Sequence, residues 1–237
     1  MQDAAVRVEP GMGRLATRIL QSSLGLKYVM AVTGLVLVGF IVSHMVANLL
    51  VFADRDALNQ YALGLRKLGA LLWLARGGIL VAAALHVWAA YKLTMRSRAA
   101  RPVAYSAQAT VKATYASRTM RWSGVLVLAF LAYHLAHYAL FAIHPEYEQF
   151  QYEGHHDVYR MVVTGFSDPV LVGVYVVAQV LLGLHLSHGF ASVFQSTGLT
   201  NDQYKPMLQK LGMALGWAIT AGFISVPMGV LAGVIRL

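Results

Sequence analysis

The chain has 237 residues, of which 58% are hydrophobic and only 12% are charged, whereas charged residues make up about 25% of a soluble domain. This composition excludes an ordinary soluble protein and indicates a membrane protein. The formal net charge of +9 does not indicate nucleic acid, because membrane topology and anionic lipid headgroups explain the basic residues, and the absence of cysteine excludes thiolate-bound iron–sulfur clusters and disulfides within the chain.

Five apolar runs follow one another along the chain, each close to the roughly 20 residues that a membrane-spanning helix needs. They cover residues 28–52, 71–91, 122–143, 169–194 and 208–235. We therefore expect an all-α bundle of five membrane helices, forming a single domain over residues 1–237. Residues 1–27 are polar and basic, and we expect them to persist as a tail, because the first run is a full span without the small-residue cleavage pattern of a signal peptide.

Basic residues cluster at one set of ends of these runs. They precede the first run and lie between the second and third and between the fourth and fifth: Arg7, Arg14, Arg18, Lys27, Lys92, Arg96, Arg98, Arg101, Lys112, Arg118, Arg121, Lys205 and Lys210. The positive-inside rule then predicts a cytoplasmic N-terminus and an external C-terminus in the inner (cytoplasmic) membrane.

Histidines occur in each of the first four runs and not in the fifth: His44, His86, His134 with His137, and His185 with His188. An ionisable group inside a bilayer is costly and usually has a partner, so these histidines indicate a functional site. A single histidine on a helix is more often a hydrogen-bonded packing residue than a ligand. The runs contain no Asp or Glu, which argues against ion-coupled transport and proton pumping.

The depths of the histidines group them in pairs. At 1.5 Å per residue, His44 and His134 lie about 20–25 Å from the cytoplasmic ends of their helices, and His86 and His185 about 9–15 Å from theirs. Two bis-histidine levels result, one on each side of the midplane. Depth alone does not choose between His185 and His188, which differ by about 4.5 Å along the helix. Two b-type haems fit this layout, because iron with two axial imidazoles is suited to one-electron transfer.

A short internal repeat favours one of the two histidines in the third run. Gly34 precedes His44, and Gly124 precedes His134, with nine residues between in each case. The repeat favours His134 as the ligand. His137 would then hydrogen-bond a haem propionate or a quinone, or cap its helix.

Three segments, "TGLVLVGFIVSHM", "RWSGVLVLAFLAYH" and "LHLSHGFASVFQSTG", together with the histidine layout, resemble the di-haem cytochrome b membrane subunit of succinate dehydrogenase and fumarate reductase, the succinate:quinone oxidoreductases. The resemblance covers nearly the whole chain and is weakest in the loops and the fifth run. It implies a membrane anchor and electron-transfer subunit that passes electrons between an iron–sulfur subunit and membrane quinone, menaquinone or ubiquinone. Dicarboxylate catalysis would belong to the flavoprotein and iron–sulfur subunits on the cytoplasmic side.

The resemblance also implies the ligand sets: His86 and His185 for the inner haem, His44 and His134 for the outer. In the family the fourth-run ligand precedes the glycine of a Trp-Gly or Thr-Gly pair by thirteen residues, an interval that His185 fits and His188 does not, so His188 is expected beside the haem. The second ring nitrogen of each ligand is expected to bond a backbone carbonyl one turn earlier.

Further site residues follow from the same resemblance. Quinone exchange near the outer haem directs attention to Asn48 and Tyr61, although the helix of Tyr61 has an equally good interpretation as simple packing. Arg76, Arg121 and Arg160 are candidates for haem propionates or quinone, or for interfacial anchors. One departure is Gly183, where some fumarate-reducing members have a glutamate that carries protons.

Two other functions remain open on the sequence alone. One is the cytochrome b subunit of another quinone-linked membrane dehydrogenase, such as a formate dehydrogenase, hydrogenase or nitrate reductase. The other is a haem-free membrane anchor or transporter with structural histidines. The outer-loop residues His155, His156 and Asp157 are interpreted as a solvated loop rather than a metal site.

Overall fold

The structure, a computed structural model, describes residues 21–100 and 115–237. Arg7, Arg14, Arg18, Arg101 and Lys112, which contribute to the orientation prediction, lie outside these ranges. Within them the chain forms seven α-helices: α1 (Ser23–Leu49), α2 (Arg55–Lys67), α3 (Ala70–Ala99), α4 (Tyr115–Tyr138), α5 (Val158–Phe166), α6 (Pro169–Ser196) and α7 (Lys205–Leu231). Two 3₁₀ turns, Leu50–Phe52 and Pro145–Gln149, and a hairpin of two-residue strands, β1 (Gln151–Tyr152) and β2 (His155–His156), complete these elements.

Five helices of the described ranges are long and apolar enough to cross a membrane. The candidate spans are Ser23–Phe52, Ala70–Ala99, Ser117–Tyr138, Pro169–Ser196 and Lys205–Leu231. The prediction of a helical fold is confirmed, and the five candidate spans suggest a multi-pass membrane protein.

The helices end at other residues than the apolar runs do. Hydropathy indicates which residues favour lipid over water, and it does not indicate where the helical backbone conformation stops. The third run extends to residue 143, but α4 ends at Tyr138, and Phe141 has a positive φ of 51°. The fifth run extends to residue 235, but α7 ends at Leu231 and Gly233 takes a φ of 70°, a turn that returns the N–H of Val234 to the carbonyl of Gly229. Conversely, α3 continues past residue 91 to Ala99 through a basic, non-apolar turn.

Small residues allow α6 and α7 to pack closely. A Cβ on Gly183 would meet the hydroxyl of Thr220, and a Cβ on Gly212 would lie 2.8 Å from the carbonyl oxygen of Ser187. Glycine and hydroxyl residues at such crossings are typical of membrane helices, where close backbone approach supplies the packing energy. α1 contacts α3, α6 and α7, and α4 packs against α6.

A buried aspartate joins the two short helices. Asp157 caps α5 by accepting from the backbone N–H of Arg160 at 3.0 Å, and it also accepts from the side chains of Arg55 and Asn59 on α2. Burial alone raises the pKa of the Asp157 carboxyl, but these three donors outweigh burial and hold its pKa below the ordinary value. The solvated-loop interpretation is therefore wrong for Asp157, which is fully buried, whereas His155 is exposed.

Candidate functional site

Four helices bring the predicted histidines together in two pairs. His44 on α1 faces His134 on α4, with ring centroids 6.0 Å apart, and His86 on α3 faces His185 on α6, with centroids 6.4 Å apart. We refer to them as the α1–α4 pair and the α3–α6 pair. These are the pairs that depth groups in the sequence; that they bind iron stays a prediction.

The glycines of the internal repeat define the separation of the two levels. A Cβ on Gly34 would lie 3.2 Å from Cε1 of His86, so Gly34 of α1 lies at the level of the α3–α6 pair. A Cβ on Gly124 of α4 would lie 3.4 Å from Cε1 of His185. Each glycine precedes the histidine of its own helix by ten residues, so the two levels are about 15 Å apart along both helices. The repeat therefore has a structural meaning that the sequence did not reveal. In each helix the glycine makes room for an imidazole of the α3–α6 pair, and the histidine belongs to the α1–α4 pair.

The spacing of each pair fits one metal ion between two imidazoles. An imidazole nitrogen binds a metal such as zinc at about 2 Å, which puts two opposed nitrogens about 4 Å apart and their ring centroids about 6 Å apart. Both observed separations, 6.0 and 6.4 Å, agree with this value. Among the described residues no group of three or more His, Cys, Asp or Glu side chains could hold a metal ion. A metal centre here would take two ligands from the chain and the others from a separate group.

The surroundings of His86 fix which of its nitrogens is free. Its Nδ1 lies 3.1 Å from the carbonyl oxygen of Met30 and 3.2 Å from the hydroxyl of Thr33. A carbonyl can only accept, so Nδ1 carries the hydrogen and the lone pair of Nε2 is free for a metal. The acceptor belongs to α1. The sequence interpretation, which expects a carbonyl from the preceding turn of α3, is therefore wrong for His86.

His134 and His137 share one partner. The hydroxyl of Tyr175 on α6 lies 3.3 Å from Nδ1 of His134 and 3.0 Å from Nδ1 of His137. His137 is fully buried and stacks on Tyr138 with ring centroids 3.9 Å apart. Sequence reasoning missed Tyr175; its one signal is a phenol within an otherwise apolar run.

The other two paired histidines have different neighbours. His44 packs between Phe40 and Phe223, and the side-chain amide of Asn48 lies 3.4 Å from its ring nitrogens while donating to its backbone carbonyl at 2.7 Å. Asn48 therefore lies at the α1–α4 pair; that it contacts quinone stays a prediction. His185 has a buried Nδ1 without a hydrogen-bond partner, which is uncommon enough to need an explanation.

The remaining predicted residues lie elsewhere. Nε2 of His188 is 3.1 Å from the hydroxyl of Ser192, one turn further along α6. The guanidinium groups of Arg76 and Arg160 stack on Trp73 and Phe150, at 5.0 and 4.3 Å from the ring centroids. Arg121 and Tyr61 are exposed. Within the described residues, no hydrogen bond or ring contact joins these two arginines, Arg121 or Tyr61 to a paired histidine.

The helix that carries Tyr61, α2, meets the N-terminal end of α5 through Asn59. Its amide donates to Asp157 at 2.9 Å and its carbonyl accepts from the backbone N–H of Tyr159 at 3.0 Å. Beside this contact lies a cavity of about 350 Å³ whose polar lining includes Asn59, Arg66, Glu148 and His156.

Comparison of the chain with protein-family models, with curated proteins and with solved structures finds no match.

Proposed function

We propose that the chain is the membrane anchor and electron-transfer subunit of a succinate:quinone oxidoreductase, and that each histidine pair holds one b-type haem. The observation that carries this proposal is the geometry of the pairs: two facing imidazoles at 6.0 Å and two at 6.4 Å, on four different helices, at levels about 15 Å apart. A single pair would be compatible with packing. Two pairs at different depths would place two haems one after the other across a membrane, as a path for electrons requires.

The residues around the pairs fit a haem in three respects. Nε2 of His86 is free to bind iron, because Nδ1 is engaged by Met30 and Thr33. Nδ1 of His185 is buried without a partner, so the described residues do not hold this ring in one tautomer, and Nε2 is available to iron. Gly34 and Gly124 leave room for the two imidazoles of the α3–α6 pair, because a Cβ at either position would lie 3.2 or 3.4 Å from Cε1 of His86 or His185.

The chemistry divides between the group and the chain. When bound, haem iron with two imidazole ligands exchanges single electrons and is closed to oxygen. The chain holds the two sites in an apolar bundle that excludes water, and it orients His86 and His134 through hydrogen bonds at their Nδ1 atoms. Succinate or fumarate would be handled by flavoprotein and iron–sulfur subunits, and the quinone would be reached from the α1–α4 pair, where Asn48 lies.

Gly183 supports a proton route different from that of glutamate-containing relatives. A Cβ at this position would already meet the hydroxyl of Thr220, with the carbonyl oxygen of Gly216 at 3.3 Å. The space that a glutamate side chain would need is filled by α7. We therefore place no proton carrier two residues before His185.

The deciding experiment is spectroscopic. The full chain is purified from membranes with whatever subunits accompany it, and dithionite-reduced minus oxidised spectra are combined with pyridine haemochrome quantitation. Two b haems per chain are expected, and none would overturn the proposal in favour of a haem-free anchor. One haem would contradict the two-level arrangement.

The accompanying subunits test the rest of the proposal. We expect a flavoprotein and an iron–sulfur subunit, together with succinate-dependent quinone reduction or quinol-dependent fumarate reduction. A dehydrogenase for formate or hydrogen in their place would retain the haem sites and replace the enzyme.

A further inference from the structure

Tyr175 occupies a singular position at the α1–α4 pair. It is 5% exposed, and its hydroxyl lies between Nδ1 of His134 at 3.3 Å and Nδ1 of His137 at 3.0 Å. Its ring contacts Phe130 and Phe166 edge to face, with centroids 5.0 Å away in both cases. The phenol is therefore fixed in place, and its hydroxyl can serve both histidines without moving.

His134, Tyr175 and His137 form a hydrogen-bonded series. If His134 binds a metal through Nε2, only one placement of the hydrogens on these three side chains is possible. Nδ1 of His134 must then carry the hydrogen and donate to the Tyr175 oxygen. The single hydroxyl hydrogen of Tyr175 is left to donate to Nδ1 of His137. His137 must in turn carry its hydrogen on Nε2, which has no partner among the described residues.

We propose that Tyr175 is a positioning residue for the haem ligand His134, and that His137 is its anchor rather than a ligand or a propionate contact. This inference rests on the proposed haem at the α1–α4 pair. Tyr175 accepts from His134 and so fixes the tautomer and the plane of that ring. A ligand whose second nitrogen donates to an acceptor is also a stronger base towards the metal.

The two levels are thereby oriented by different chemistry. His86 donates to a peptide carbonyl, which no side-chain substitution removes. His134 donates to the hydroxyl of Tyr175, which substitution by phenylalanine removes. The redox potential of the α1–α4 site is consequently adjustable at position 175 without disturbance of the α3–α6 site.

The test compares Tyr175→Phe with Tyr133→Phe in the complete purified complex. Tyr133 is a neighbouring tyrosine. The centroid of its ring lies 5.8 Å from that of His137 and 6.2 Å from that of Tyr175. The readouts are potentiometric titration of each haem and low-temperature EPR. We expect Tyr175→Phe to raise the midpoint potential of the α1–α4 haem, to change its EPR signal and to lower haem affinity at that site about 10–100-fold, with the other haem unchanged. Tyr133→Phe should leave both haems as in the parent.

A second variant keeps the inference testable if Tyr175→Phe does not assemble. His137→Phe removes the anchor and leaves the phenol, and it should shift the same potential in the same direction by a smaller amount. If wild type carries two b haems and neither variant moves the potential or the EPR signal of the α1–α4 site, the positioning role is overturned while the proposed function stands. If wild type carries no haem, the proposed function itself fails.

Discussion

Gly34 of α1 packs against the imidazole of His86 on α3, so closely that a Cβ on the glycine would lie 3.2 Å from Cε1. A branched side chain at position 34 must therefore displace the ring from its bond to the Met30 carbonyl. We expect Gly34→Val to lose most of the haem at the α3–α6 pair and to retain that at the α1–α4 pair. The measurement is haem per chain with the spectral identity of the haem that remains.

Gly39 supplies the matched control for this substitution. It lies on the same helix, and a Cβ there would have no atom within 4 Å, so Gly39→Val should keep both haems. Equal loss in the two variants would mean that valine harms α1 generally, and would contradict a specific role for the Gly34–His86 contact.

The histidine pairs predict which haem each alanine variant loses. His44→Ala and His134→Ala should both remove the α1–α4 haem, and His86→Ala and His185→Ala should both remove the α3–α6 haem, because each pair shares one iron in the proposed arrangement. His188→Ala should keep two haems, since its ring bonds Ser192. Pyridine haemochrome quantitation with redox difference spectra distinguishes these results. Loss of the α3–α6 haem in His188→Ala, with retention in His185→Ala, would reverse the assignment.

The sequence predicted the pairs because depth in a membrane is set by a linear count of residues. His44 and His134 are both far from basic helix ends, and no tertiary information is needed to see it. The contact of Asn59 with Asp157 could not be predicted in this way, because it joins residues 98 positions apart through a turn that the composition does not encode. Tyr175 was missed for a related reason: a phenol in an apolar run acquires its meaning only when α6 is packed against α4.

The link between α2 and α5 predicts a pH-dependent stability. Three donors hold the pKa of Asp157 below its ordinary value, so its contribution is present above the unfolded pKa of about 3.9 and is lost as the pH falls through the lower folded value. Asp157→Asn keeps the helix cap but not the charge, and should reduce the free energy of unfolding by about 1–3 kcal/mol at pH 7. The difference from wild type should shrink below about pH 4, as followed by thermal unfolding in detergent at a series of pH values.

Asp168 is the control for that experiment. It caps α6 by accepting from the backbone N–H of Val170 at 2.8 Å and is exposed, so Asp168→Asn should be nearly neutral. A similar loss of stability in the two variants would assign the effect to the missing negative charge at a helix N-terminus and not to the buried pair with Arg55.

The crossing of α6 and α7 predicts that even one methyl group at position 183 is harmful. The Cβ of Gly183→Ala would meet the hydroxyl of Thr220, which itself donates to the carbonyls of Gln179 and Gly216 at 3.1 and 2.9 Å. Overpacking of this kind costs about 1–3 kcal/mol, so the variant should unfold at a lower temperature and bind haem less firmly at the nearby His185.

Gly173→Ala on the same helix, where a Cβ would have no atom within 4 Å, should match wild type. Thr220→Ala should partly rescue Gly183→Ala, because it removes the nearest obstructing atom. An additive loss in the double variant would show that the cost arises elsewhere and not from the contact of position 183 with Thr220.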